Sequence, residues 1–76
     1  MQQGKNTADR ALQLLDEAMA LIELVEESIG ELAAAANSGK PASPGSIYAA
    51  YTSIVRLHDK LAELRDAVYR LASSRT

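Results

Sequence analysis

Cysteine, tryptophan and phenylalanine are all missing from this 76-residue chain, which holds one histidine, two prolines and four glycines. Each shortage excludes something. Without cysteine there is no disulfide, and with a single histidine the usual zinc ligand sets cannot be assembled. A carboxylate di-iron bundle would need Glu-x-x-His motifs with inward-facing acids, and neither occurs. There is no glycine-rich phosphate loop, and no Ser, His and Asp set that two helices could gather around a cleft. Charged residues interrupt every stretch approaching the ~20 apolar residues that cross a bilayer. The start, Met1-Gln2-Gln3-Gly4-Lys5, leads into no apolar signal core. These shortages predict a soluble cytoplasmic protein that is not an enzyme, holds no cofactor or metal and uses no membrane. The lack of cysteine agrees with a reducing compartment.

What remains is helical in character: alanine and leucine dominate, and Gly and Pro are too few for a β-rich fold. The length allows one domain, 1–76, and a compact fold of this size buries only roughly 60% of its unfolded surface. A lone hairpin would bury less. Small scaffolds are usually reinforced by disulfides, metals or self-association, and here only self-association is left.

In the second half, Ile47, Ala50, Ile54, Leu57, Leu61, Leu64, Val68 and Leu71 recur at alternating steps of four and three. Such a seam can be buried only against other helices. In the first half, Ala11, Leu12, Leu14, Leu15, Ala18, Met19, Leu21, Ile22, Val25, Ile29, Leu32 and Ala36 fill an arc of roughly 160° at about 100° per residue, wider than a two-stranded seam requires. That width implies more than one neighbour. Asn6 or Thr7 can cap this first helix, with Asp9 in its first turn. Both prolines fall between Asn37 and Ser46, the one clear break in the pattern. The pattern predicts a helix over about 7–36, a loop over about 37–45 and a helix over about 46–72. Ser43 before Pro44 offers an earlier start to the second helix, and Ser46 a later one. Residues 73–76 should fray. The expected fold is all-α, an antiparallel hairpin dimerising into a four-helix bundle.

Charge is uneven. The first helix carries Asp9, Asp16, Glu17, Glu23, Glu26, Glu27 and Glu31 against the single base Arg10, a local charge of minus six in a chain of net charge minus two. Glu23, Glu27 and Glu31 stand four apart on one face, where like charges cost an isolated helix roughly 0.2–0.5 kcal/mol per pair. Either they form a solvated face, or they form an acidic strip, with Leu24 beside it, that docks on a basic protein surface. Both readings count against direct binding of DNA or RNA by this helix, since phosphates require clustered Lys and Arg. The shape resembles that of the small ROP-type RNA-binding hairpin dimers, from which the acidic first helix departs.

On the second helix, Tyr51, His58 and Arg65 stand seven apart beside the seam, with Tyr48 and Tyr69 on the same flank. As a packing boundary, the tyrosines cover the core edge and Arg65 snorkels towards the first helix. As a site, the five could hold a nucleotide or another anionic small molecule at the dimer seam. In an antiparallel hairpin residue i lies roughly opposite residue 82 minus i, so Arg65 should face Asp16 or Glu17, and Glu26 should come within about one turn of His58. A Glu26–His58 pair would favour the charged imidazole. Leu57-His58-Asp59 is similar to the histidine–acid pair in the dimerisation helices of sensor histidine kinases. That match is three residues long, and in that family the histidine sits on the first helix of the hairpin.

The functional expectation is a small acidic helical protein that self-associates, as a homodimer or higher oligomer, and binds or inhibits a protein partner as an adaptor, antitoxin or phage- or plasmid-type inhibitor. The alternative is the nucleotide-type ligand site at the dimer seam, and the third reading is a purely structural dimerisation module.

Overall fold

The computed structural model describes residues 3–73, with side chains from residue 6 onward. It contains two helices, α1 (Gln3–Asn37) and α2 (Pro44–Ser73), packed antiparallel as a hairpin. The result is a rod of 58 × 16 × 14 Å.

The first helix starts earlier than its capping signals suggest. Asn6 and Thr7 lie inside α1, so neither is its cap, and no acid stands in its first turn. The helix runs on upstream through Gln3, Gly4 and Lys5, past side chains that could have ended it. The C-terminus is defined by Gly39, whose φ of 76° is the left-handed conformation that glycine adopts without a Cβ clash. Lys40 N–H donates to the Ala35 carbonyl at 3.0 Å and Gly39 N–H to the Ala36 carbonyl at 3.2 Å, a Schellman closure of the exposed carbonyls. Pro41 then prevents continuation.

The second helix takes the earlier of its two possible starts. Ser43 accepts a hydrogen bond from Ser46 N–H at 3.1 Å through its hydroxyl, while its carbonyl accepts Ile47 N–H at 3.1 Å. Pro44 occupies the first helical position, where no amide donor is needed. The helix reaches Ser73, so the expected fraying of 74–76 falls outside the described residues.

One continuous row on each helix faces the other. On α1 it is Thr7, Ala11, Leu14, Ala18, Leu21, Val25, Ser28, Leu32 and Ala35; on α2 it is Ser46, Ala50, Ser53, Leu57, Lys60, Leu64, Ala67 and Leu71. Steps of four and three alternate throughout, as required for two long helices to stay in contact. The buried members are mostly small: Ala11, Ala18, Ala50, Ser53 and Ala67, with Leu14 the single large side chain that is fully buried. Small residues let the axes approach closely. Ser53 remains compatible with burial because its hydroxyl donates to the Ala50 carbonyl at 2.9 Å.

This row divides the expected seam on α2. Ala50, Leu57, Leu64 and Leu71 do face α1, whereas Ile47, Ile54, Leu61 and Val68 lie one residue further round and are 44–53% exposed. Their places against α1 are taken by Ser46, Ser53, Lys60 and Ala67. The sequence pattern averages over two rows that share a border, and the hairpin uses only one of them.

Leu14 should therefore carry more of the hairpin's stability than any other side chain. Leu14→Ala is expected to cost about 2–5 kcal/mol, the range for deleting a buried leucine. Ser43→Ala is expected to cost about 0.5–2 kcal/mol through loss of the cap. Urea denaturation followed by circular dichroism measures both.

Candidate functional site

A step of one residue along a helix rotates the side chain by about 100°. In an antiparallel pair, moving one residue forward on either helix turns to the same side of the hairpin, and moving one back turns to the other. The rod therefore has two broad faces, and the sequence has treated them oppositely.

One step forward from the contact row lie Leu12, Leu15, Met19, Ile22, Glu26 and Ile29 on α1 and Ile47, Tyr51, Ile54, His58, Leu61, Arg65 and Val68 on α2. This is an apolar face. Apart from half-buried Ile22, its large aliphatic side chains are 44–60% exposed, far more than a packed core permits. The whole chain exposes 5761 Å², against about 4,500 Å² expected for a compact monomer of its mass. The excess exceeds the roughly 800 Å² per partner buried in a standard protein interface.

One step back lie Arg10, Gln13, Glu17, Leu24, Glu27 and Glu31 on α1 and Arg56, Asp59, Glu63, Asp66 and Arg70 on α2. This face is polar, and among the described residues the one ion pair between the helices sits here. Lys60 crosses from the contact row to Glu17 at 2.8 Å and also meets Glu63 at 3.0 Å. Hydrogen bonding to Lys60 is the main influence holding the Glu17 carboxyl below its ordinary pKa; hydrogen bonding to Glu17 chiefly raises the Lys60 ammonium, with Glu63 adding to it. Two shallow clefts open on the same face. One of about 170 Å³ is lined by Arg10, Leu14, Glu63, Asp66, Ala67 and Arg70; the other, about 420 Å³, by Leu21, Arg56, Asp59, Lys60 and Glu63.

Three of the four expected partner-binding residues lie away from the apolar face. Leu24, Glu27 and Glu31 are exposed on the polar side and Glu23 on the outer edge of α1. The expected ligand residues are differently placed. Tyr48, Tyr51 and Tyr69 are largely exposed, and none of Tyr48, Tyr51, His58, Arg65 and Tyr69 lines either cleft. Within the chain they form a convex border of the apolar face. Lys60, absent from the expectations, is the residue that joins the helices electrostatically. Its position in the contact row disguised it as a break in the apolar pattern.

Two expected pairings are replaced. Arg65 meets Asp66 of its own helix at 3.3 Å, while Glu17 takes Lys60, more than a turn nearer the connection. Arg65 borders the apolar face and Glu17 the polar one, so the hairpin itself separates them. His58 lies 3.6 Å from Asp59, both well exposed, and Glu26 is not among its partners. No group of three or more His, Cys, Asp or Glu among the described residues is placed to hold a metal ion. No described helix is long and apolar enough to cross a membrane.

Lowering of the Glu17 pKa gives stability that is present above its unfolded value and lost as pH falls through the folded one. Raising of the Lys60 pKa gives stability lost as pH rises through its folded value. Lys60→Met should return the Glu17 carboxyl towards the ordinary range in an NMR titration, and added salt should weaken the wild-type shift because the pair is solvent-accessible.

Comparison with protein families, curated proteins and solved structures finds no match to this chain.

Proposed function

We propose that this hairpin is a non-catalytic binding protein that pairs with a second copy through its apolar face, forming a four-helix bundle, and captures a protein with a basic surface on its acidic strip. The observation that carries this reading is the segregation of the two faces. A hairpin working alone gains nothing from a row of half-exposed leucines and isoleucines along its whole length. A second copy covers that row and, in the same step, leaves Leu24, Glu27 and Glu31 free on the opposite side.

The acidic strip is costly to its own helix. Glu27 and Glu31 lie in the C-terminal half of α1, where the helix dipole disfavours anions, and Glu23, Glu27 and Glu31 repel one another at steps of four. A basic partner surface converts that repulsion into attraction and speeds encounter. Leu24, 42% exposed among these acids, supplies an apolar contact inside the charged patch. Capture of this kind suits an adaptor, an antitoxin or an inhibitor that occludes a basic site on its target.

Two experiments separate the parts of this reading. Ile54→Lys combined with Leu61→Lys should shift the sedimentation mass from a multiple of 8.1 kDa to the single chain; an unchanged mass would remove the proposed pairing face. Glu27→Lys with Glu31→Lys should abolish capture of a basic partner in affinity purification from the native host, with oligomeric state unaltered. Equal capture by this variant would reject the acidic strip, and no capture by the wild type would leave a purely structural dimerisation module.

A further inference from the structure

We infer that the second copy lies with its α2 over α1 and its connection at the same end of the bundle, so that Asp16 of each chain meets Arg65 of the other and His58 meets the other chain's Glu23. This rests on the self-association proposed above and adds its orientation.

Two hairpins can cover each other's apolar faces in two symmetric ways. A two-fold axis along the helices sets α1 on the partner copy's α2; an axis across them sets α1 on α1 and α2 on α2. Charge decides between them. On the described part of α1, the charged residues bordering the apolar face are all acids: Asp9, Asp16, Glu23 and Glu26. On α2 the charged residues of that border are Arg65 and the titratable His58. An axis across the helices would set acids against acids and bases against bases, whereas an axis along them sets the acidic border against the basic one.

Heights agree as well. Leu14 packs level with Leu64 and Ala67. Two residues further along α1, Asp16 is therefore level with the turn of α2 that ends at Arg65. Seven residues beyond, Glu23 is level with the turn that ends at His58. An axis along the helices preserves height, so the same levels apply between chains. Within one chain these groups cannot meet, because Asp16 and Glu23 project from the side of α1 away from α2. Accordingly, among the described residues of one chain Arg65 and His58 have only their neighbours Asp66 and Asp59 as ionic partners.

The chain has no cysteine, so Lys40→Cys provides a single spin-label site in the connection. Dipolar EPR on the labelled dimer should give a separation within roughly 30 Å, since packed helices lie about 8–10 Å apart and the label arms add the rest. A separation near the 58 Å length of the rod would place the connections at opposite ends and overturn the inference while leaving self-association standing. Absence of any coupling between chains would reject self-association itself. In parallel, Asp16→Lys and Arg65→Glu should each weaken association about threefold or more, and the double variant should recover to within about twofold of wild type. A double variant no better than the singles would also overturn the inference.

Discussion

Two helices share one line of contact, and that geometric limit governs this protein. Each helix offers two adjacent apolar rows, and a hairpin can cover only one row from each. The contact row is filled largely by alanine and serine, so the helices pack closely but enclose little volume. Leu14 alone is large and fully buried. The hairpin therefore gains helix–helix contact and a defined register without the apolar burial that normally stabilises a domain. The larger side chains, Leu12, Leu15, Met19, Ile54 and Leu61, stay outside on one face.

The polar face follows from the same limit. Once the contact row is set, residues one step behind it must meet water, and the sequence fills them with Arg, Glu and Asp. Lys60 is the exception that connects the layers: its aliphatic stem occupies a contact position while its ammonium reaches Glu17 and Glu63. The hairpin is thus greasy on one side and charged on the other. Both proposed interactions follow from that division, the apolar side for a second copy and the acidic side for a basic partner.

Much of this fold is legible in the residues. Ser43-Pro44 marks the start of α2, and Gly39 followed by Pro41 lies at the end of α1. The roughly 160° apolar arc of α1 spans both rows, of which the hairpin covers one. The start of α1 was less legible, since Asn6 and Thr7 are capping residues that the helix passes through. The division of the α2 seam was hidden for a definite reason. Ala50, Leu57, Leu64 and Leu71 belong to the border of both rows, while Ser46, Ser53 and Lys60 carry no hydrophobic signal and Ala67 only a weak one.

The candidate surfaces divide in the same way. Periodicity and charge alone determined that the chain forms two amphipathic helices around one break, and that the first helix is acidic. These are properties of local spacing and hold whatever the helices pack against. Only the tertiary structure decided which apolar residues the hairpin consumes and which it leaves open. Only it turned Arg65 away from Glu17 and gave that carboxylate to Lys60. Such choices depend on the rotation of each helix about its axis and on their relative height, and small contact residues set both by how closely they let the backbones approach.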